Sequence, residues 1–203
     1  MAGSLRLEGK LRQQAQEMLL KVGRIFNNAK LEYVLEGGTL LGVIRENRLL
    51  PWDNDMDITI MEDQIPVLLK TRKALWRAGY RTRLRYYKED VGPFKKGEIR
   101  MMKIQTRKWF IFKDKSLLDI FIKREKDGLA YWSVSARNPV LKSVEAKFYR
   151  NRSFCRFLGE KFAIPQQTKE YLTYRYGDWK TPKKKWNFKK DDQAIVKKIG
   201  EVM

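Results

Sequence analysis

Histidine is absent from all 203 residues of the chain, and this absence excludes more mechanisms than any other feature of the composition. Without an imidazole, neither a Ser-His-Asp nor a Cys-His nucleophile is available, and no histidine-ligated metal centre can form. A general base must therefore be a carboxylate, a lysine, a tyrosine or a water molecule. Any metal site would be rich in oxygen ligands, which suit Mg²⁺, Mn²⁺ or Ca²⁺.

Cysteine and long apolar runs are also scarce. The one cysteine, Cys155, excludes an internal disulfide and a cage of several cysteines, and its aromatic neighbours indicate a small core residue. No apolar run approaches the roughly 20 residues needed to span a bilayer, and the N-terminus lacks the apolar core of a signal peptide. We therefore expect a cytoplasmic protein, with at most a peripheral association at the inner membrane surface.

Acidic residues are in the minority, since 24 Asp and Glu stand against 44 Lys and Arg and give a net charge of +20. Such an excess indicates an anionic partner, which could be nucleic acid, a nucleotide, an anionic glycan or a membrane surface. A solvated basic surface without a specific partner is the alternative. Hydrophobic residues make up 43% of the chain, which is enough for a core, and the length favours one domain.

Hydrophobic periodicity predicts an α+β fold, in which a mixed β-sheet is flanked by helices. We treat residues 1–203 as one domain, regard 1–4 as a cloning remnant, and interpret the lysine-rich residues 180–203 as a basic, partly ordered C-terminal tail. Thr39 is the expected N-cap of the second helix. The predicted helices span 5–29, 39–47, 63–78 and 166–177, and the predicted strands span 31–38, 55–60, 80–87, 98–106, 108–113 and 116–125.

Acids are concentrated in one stretch, EGGTLLGVIRENRLLPWDNDMDITI (36–60), which contains no lysine or arginine after Arg48. Asp53, Asp55 and Asp57 occupy alternate positions, and residues 49–69 contain five acids and no base. On a strand these three side chains share a face, where they repel one another and raise each other's pKa unless a cation lies between them. A divalent metal ion resolves this conflict.

Two other interpretations explain less of the pattern. A structural turn after Pro51 would account for Asp53, but not for Asp57 followed by a strand-like ITI. A calcium loop of the EF-hand kind needs glycine at its sixth position and glutamate at its twelfth, where this chain has Ile58 and Gln64.

Two further features favour phosphate chemistry. The glycines before Thr39 let backbone N–H groups approach a phosphate, and the helix predicted from there offers its positive end to an anion. A phosphate cradle close to a carboxylate-held cation indicates phosphoryl or nucleotidyl transfer. Asp119 stands alone in apolar SLLDIFI (116–122), where burial is costly unless it is paired or metal-bound. It is expected to be a metal ligand or a general base, with a hydrogen-bonded place at a sheet edge as the alternative.

These residues resemble the signature of the LicD family of phosphocholine transferases, to which fukutin-like transferases also belong. GGTLLGVIRENRLLPWDNDMDI (37–58) is similar to the family's GTLLG, arginine and PWD-D-D motif. FLGEKFAIP (157–165) and EYLTYRYGDWKTP (170–182) resemble its closing motif. The resemblance extends from about residue 31 to 182, and it departs at Asn54, where the family usually has aspartate.

The resemblance implies the nucleotidyltransferase fold of the polymerase-β superfamily and a metal-dependent transfer. A phospho-alcohol, typically phosphocholine, would move from a CDP-activated donor to a sugar hydroxyl of a cell-surface glycan such as lipopolysaccharide or teichoic acid, and CMP would leave. Mg²⁺ or Mn²⁺ would bridge the donor. The implied catalytic metal ligands are Asp55, Asp57 and Asp119, with Asp119 also as the base, and the implied substrate-binding residues are Gly38, Thr39, Arg45 and Lys103.

Two other functions stay open. A nucleotidyltransferase of the same fold, which adds NMP to a small molecule or an RNA end, would also suit the net charge of +20. A non-catalytic RNA- or glycan-binding module would not need the acids at Asp55, Asp57 and Asp119. Nucleic acid is therefore not the expected partner; a CDP-alcohol and an anionic glycan acceptor are.

Overall fold

A computed structural model describes residues 6–108, 112–183 and 186–196, and it confirms the α+β class. The helices are α1 (Gly9–Asn28), α2 (Gly37–Glu46), α3 (Ile65–Arg77), α4 (Lys147–Arg150) and α5 (Thr168–Tyr176). The strands are β1 (Val34–Glu36), β2 (Met56–Met61), β3 (Tyr80–Tyr86), β4 (Ile99–Lys108), β5 (Phe112–Lys126), β6 (Leu129–Val134), β7 (Val140–Glu145), β8 (Arg152–Phe157) and β9 (Glu160–Pro165).

A mixed sheet organises the fold, as the element order predicted. Its main path runs β1-β2-β5-β4-β3, in which β2 and β5 are parallel and the other neighbours are antiparallel. The long β5 continues beyond β2 and pairs with β6, which pairs with β7, so the sheet curls. Strands β8 and β9 form a separate hairpin. Within the described ranges, no helix combines the length and apolar character of a membrane span.

One face of the sheet carries the hydrophobic core. In the central parts of β2, β4 and β5, even-numbered residues such as Ile58, Met102 and Ile120 are fully buried, because side chains alternate between the two faces of a strand. Helix α3 packs on this face, where Arg72 donates a hydrogen bond to Thr82 Oγ1 on β3 (3.0 Å), and α1 contacts both α3 and β5. The odd-numbered residues therefore point to the opposite face, which we call the site face.

The predicted start of the second helix is wrong. The helix begins at Gly37 rather than Thr39, and Glu36 is its N-cap, with a carboxylate that accepts a hydrogen bond from the Gly37 N–H (3.1 Å). Gly37 has a φ of +57°, which glycine adopts without strain. The Thr39 hydroxyl instead accepts a hydrogen bond from the backbone N–H of Asp57 (2.8 Å) and ties α2 to β2.

The strands differ from the predictions in several places. Strand β1 covers residues 34–36 of predicted strand 31–38, and β2 begins at Met56, so Asp55 precedes it. Lys108 belongs to β4, β5 is continuous over Phe112–Lys126, and β6 to β9 lie where no strand was predicted. Residues 109–111 of predicted strand 108–113 lie outside the described residues, as do residues 1–4.

The basic tail contacts the domain over residues 186–196. Strand β7 and the tail exchange backbone hydrogen bonds, from Ser143 N to Ala194 O (2.8 Å) and from Val196 N to Leu141 O (3.0 Å). Asp192 is buried there. This part of the tail therefore forms a wall of the domain beside the end of α5.

Candidate active site

Five side chains form a row across the site face, one from each strand of the main path. The strand register pairs Glu36 with Asp57, Asp57 with Asp119, Asp119 with Lys103, and Lys103 with Arg83. Directly paired residues project to the same face of a sheet. The row, here named the charged row, therefore runs from carboxylates on β1, β2 and β5 to cations on β4 and β3.

A cavity of about 720 Å³ opens over the charged row. This volume is within the range of small-molecule and cofactor sites. The cavity wall combines acids, cations and aromatic rings. The lining includes the acids Asp53, Asp55, Asp57 and Asp119, the cations Arg45, Arg100 and Lys103, and the rings of Trp132, Trp179, Trp186 and Phe188.

Three of the acids, together with Asp119, form what we call the acid cluster. Burial, followed by the charges of Asp119 and Asp53, raises the pKa of Asp55 to about 7. Burial and the neighbouring aspartates, Asp55 first, raise the pKa of Asp57 well above its usual range, and burial raises that of Asp53 to about 6. None of these three forms an ion pair with a described lysine or arginine. The ionised forms of these aspartates are therefore disfavoured in the site.

Asp119 differs from the other acids because it has a cation of its own. Lys103 Nζ lies 2.8 Å from Oδ1 and 2.5 Å from Oδ2 of Asp119. Burial raises the pKa of Asp119, and Lys103 opposes that rise. Lys103 thus favours the ionised form of Asp119, the form that a general base requires, against an effect of burial that still raises the pKa overall.

Two glycines let the acid cluster approach the start of α2. A Cβ atom at Gly37 would lie 2.5 Å from Asp57 Oδ2, and one at Gly38 would lie 1.8 Å from Asp53 Oδ2. Any side chain at either position would displace a carboxylate. Gly38 lines the cavity, as a phosphate-binding residue would, whereas Thr39 is buried and its hydroxyl is used by Asp57.

Arg45, predicted as a substrate-binding residue, lies on the cavity wall with partners of its own. Its guanidinium contacts the carboxylate of Glu46 (2.5 Å) and donates a hydrogen bond to the carbonyl of Trp179 (3.0 Å). Arg45 therefore joins the end of α2 to the segment after α5, and the remaining face of its side chain borders the cavity.

A second set of charges adjoins the cavity, and its members pair with one another. We call it the buried network; its members are Glu36, Lys123, Lys142, Tyr149, Tyr171, Arg175 and Asp192. Glu36 accepts from Lys123 (2.6 Å), Arg175 (2.8 Å) and the Tyr171 hydroxyl. Burial alone would raise the pKa of Glu36, but Lys123 and Arg175 outweigh it and hold the pKa well below its usual range.

The tail completes this network. Arg175 grips both oxygens of Asp192, at 2.7 and 2.6 Å, and Lys142 lies 2.5 Å from the same carboxylate. Arg175 thus joins an acid from the tail to Glu36, the acid that caps α2 and begins the charged row. Glu36 gives a signal of this kind in the sequence, because it is a lone charge between apolar residues in VLEGGTLL, as Asp119 is in SLLDIFI. Lys123 and Arg175 give no such signal, because they lie among charged or polar residues.

The acid cluster fits a hard divalent cation, although it is not a complete cage. Within the part of the chain that the structure describes, no three acid or thiol side chains converge closely enough to hold a metal ion alone. Mg²⁺ is usually bound by one or two carboxylates, with phosphate oxygens of the substrate and water as its other ligands. The carboxylates of Asp55 and Asp57 offer oxygen ligands and form no ion pair with a described lysine or arginine, so they meet that requirement.

Comparison with known proteins identifies the family. Residues 30–167 match the model described as "LicD/FKTN/FKRP, nucleotidyltransferase domain". The chain belongs to the LicD family. This confirms the resemblance seen in the motifs at 37–58 and 157–165.

Two kinds of named relative match this LicD-family chain. The Homo sapiens protein "Ribitol-5-phosphate transferase FKTN" is 24% identical over 186 residues, which are 91% of this chain and 37% of that protein, and the Macaca fascicularis protein matches equally well. The Haemophilus influenzae "Lipopolysaccharide cholinephosphotransferase LicD" is 46% identical over 35 residues, 17% of this chain and 13% of that protein. The chain spans little more than a third of the FKTN proteins. These findings support an enzyme of the phosphotransferase kind.

Proposed function

We propose that the chain transfers a phospho-alcohol from a CDP-activated donor to a hydroxyl of a cell-surface glycan, and that Mg²⁺ or Mn²⁺ is required. The observation that carries this proposal is the acid cluster, in which Asp55 and Asp57 lack cationic partners while Asp119 has Lys103. The names of the relatives support a phospho-alcohol as the group transferred. Strands β2 and β5, which bear Asp57 and Asp119 beside α2, suit the nucleotidyltransferase-like fold of the polymerase-β superfamily.

In this mechanism each acid has a defined task. Asp55 and Asp57 would hold the cation, which when bound would supply positive charge against the donor's phosphates. Asp119 accepts the proton of the acceptor hydroxyl, whose oxygen bonds to the phosphorus that carries the alcohol. The bond between that phosphorus and the oxygen bridging the two phosphates breaks, and CMP leaves with the electron pair. Lys103 favours the ionised form of Asp119 before the transfer.

The identity of the alcohol is the finer part of the proposal. The motif favours CDP-choline as the donor, and lipopolysaccharide or teichoic acid as the acceptor class. CDP-ribitol is the second donor to test, because the relative named for ribitol 5-phosphate matches far more of the chain than the choline enzyme does. We place the reaction in the cytoplasm, with peripheral membrane contact through the basic surface that a net charge of +20 provides.

A donor panel tests this function directly. CDP-choline, CDP-ribitol and CDP-glycerol are incubated with the protein and a glycan acceptor, with Mg²⁺ or with EDTA, and CMP is measured. We expect CMP from at least one donor in the Mg²⁺ samples and none with EDTA. If the donors are inert and NTPs instead yield pyrophosphate, the chain is a nucleotidyltransferase, the alternative that its basic charge also suits.

A further inference from the structure

The edge strand β3 presents three arginines to the site face. Arg81, Arg83 and Arg85 alternate with Thr82 and Leu84. Thr82 and Leu84 pair with core residues of β4, and Thr82 accepts a hydrogen bond from α3, so they point to the core face. The three arginines, here named the arginine stripe, must therefore point to the opposite face, which holds the cavity and the charged row.

The arginine stripe leads directly to the proposed catalytic residues. Arg83 is the last member of the charged row, next to Lys103, which contacts Asp119. Arg85 lies one pair further along the same face, beside Met101, a residue of the cavity wall. Successive arginines are separated by roughly 7 Å along the strand. The stripe is thus a line of three cations on the open edge of the sheet, and its middle residue, Arg83, is level with Asp119, with Lys103 between them.

A β-bulge adds a fourth cation at the junction with the cavity. The pairing of β3 with β4 shifts between Arg85 and Tyr86, which leaves Arg100 as an extra residue opposite them. Arg100 and its neighbour Met101 both line the cavity, although adjacent residues of a regular strand point to opposite faces. Bulges near active sites commonly redirect a side chain in this way. Arg100 therefore connects the stripe to the cavity.

In the described parts of the chain, the side chains of the three arginines form no hydrogen bond or ion pair, and only the charge of Arg85 acts on Asp119 and Arg100. Arg124 and Arg150, by contrast, each contact two acids. Charged residues also protect edge strands against aggregation, and that role alone would leave them solvated. The stripe differs because Arg83 continues the charged row, so an anion bound there would lie next to Lys103, which contacts Asp119.

We propose that the arginine stripe, with Arg100, is the binding track for an acceptor chain that carries several phosphate groups. This inference rests on the proposed function, since it gives the acceptor of that reaction its chemical class and its route to Asp119. Arginine suits the task because its planar guanidinium binds a phosphate through two parallel hydrogen bonds. A linear polymer of alcohol phosphates is favoured over a membrane surface, because the cations form a single line, and over RNA, because the line passes the proposed base of a reaction that needs a hydroxyl of the acceptor.

Binding without a donor tests the proposal. A labelled poly(glycerol phosphate) chain is titrated into wild-type protein and into R81Q/R83Q/R85Q, and fluorescence anisotropy is measured across a salt series. We expect the Kd of the variant to rise about tenfold or more, and the slope of log Kd against log salt to fall by about 2, at roughly 0.7 for each phosphate that the variant no longer neutralises. The single variant R83Q should show a smaller change in the same direction, and thermal unfolding confirms that both variants fold.

The opposite side of the sheet supplies a matched control. Lys70, Lys73 and Arg77 are exposed on α3, and K70Q/K73Q/R77Q removes the same three charges. An unchanged Kd in this control, with a loss in the stripe variant, supports the track. Equal losses in the two triple variants would show general attraction to a basic protein and would overturn it.

Two further probes separate the polymer from other anionic partners. Polyuridylate and vesicles of phosphatidylglycerol are titrated into the same proteins, with neutral dextran as the uncharged polymer. If the stripe variant loses affinity for polyuridylate or vesicles and not for poly(glycerol phosphate), the acceptor track is wrong. These titrations contain no donor, so their outcome is independent of the CMP assay, which tests the proposed reaction.

Discussion

The acid cluster and the buried network use the same residue types and treat charge in opposite ways. In the buried network, cations outweigh burial, so the pKa values of Glu36 and Asp192 lie below their usual range. In the acid cluster, burial and repulsion prevail, so Asp53 and Asp55 have pKa values of about 6 and about 7. In the buried network, each charge has an opposite charge of the fold as its partner. The cluster requires an added cation, and the direction of the pKa shift distinguishes a structural charge from a binding one.

The largest expected effect on stability comes from breaking the buried network. Arg175→Met removes the cation that joins Glu36 to Asp192 and leaves both carboxylates buried with fewer partners. We expect a loss of about 3–5 kcal/mol in the free energy of unfolding, the usual cost of removing one partner of a buried pair. Urea denaturation followed by circular dichroism measures it.

A surface arginine provides the control for that measurement. Arg150 also contacts two acids, Asp63 and Glu125, both at 2.8 Å, but its side chain is 40% exposed. Arg150→Met should cost no more than about 1 kcal/mol, because water screens the pair and solvates what remains. Equal losses for the two variants would contradict the distinction between the network and the surface.

A substitution in the acid cluster should instead cause a large loss of activity and no loss of stability. Asp57→Asn should lower the rate of CMP release about a hundred- to a thousandfold, the range typical for removing one group that stabilises transition-state charge. The protein should unfold at the same temperature or higher, because the substitution removes repulsion with Asp55 and Asp53. Asp63→Asn, on the exposed surface after β2, is the control and should retain activity. A marked fall in stability with Asp57→Asn would show that Asp57 stabilises the fold, as the buried network does.

The two regions should also respond to pH with opposite sign. Glu36 and Asp192 have lowered pKa values, so their stabilisation is present above the unfolded values of about 4 and is lost as the pH falls below them. Asp53 and Asp55 have raised pKa values, so their stabilisation is present below about pH 4 and is lost as the pH rises through about 6 and about 7.

Thermal unfolding across pH measures both effects in one series. In EDTA, the melting temperature should have its maximum in mildly acidic buffer and decline towards neutral pH. Mg²⁺ should raise the melting temperature most at neutral pH, where the acid cluster is ionised, because a ligand that binds only the folded state stabilises it. A Mg²⁺ effect that is the same at pH 5 and pH 8 would argue against the cluster as the metal site.

Part of the site could be predicted from local pattern alone. The period of two along β2 and the lone acid in SLLDIFI were enough to select Asp57 and Asp119. The register that places them side by side was not predictable, because it depends on parallel pairing between strands about 60 residues apart in the chain. Lys103 was predicted only through the family resemblance, and the structure shows why it is close: β4 pairs with β5 at Asp119.

Other features depend on tertiary contacts that override local preference. Thr39 is a favoured N-cap residue, yet Glu36 takes that position because Lys123 and Arg175 fix its carboxylate beside the Gly37 N–H. The lysine-rich tail has the composition of a solvated segment. One acid within it, Asp192, meets two buried cations and brings residues 186–196 against the domain.

The smallest expected effect concerns Asp53, which shares features of the acid cluster and of the buried network. Its carboxylate packs over Gly38 and accepts a hydrogen bond from the Asn54 N–H (3.0 Å), so part of its charge is stabilised by the backbone. If Asp53 orients the cluster without binding the cation, Asp53→Asn should reduce CMP release only about ten- to a hundredfold, as for groups that support metal ligands. Gly38→Ala should have a similar effect, because its Cβ would occupy the position of the Asp53 carboxylate. A loss as large as that of Asp57→Asn, together with weaker Mn²⁺ binding in a metal titration, would make Asp53 a third ligand.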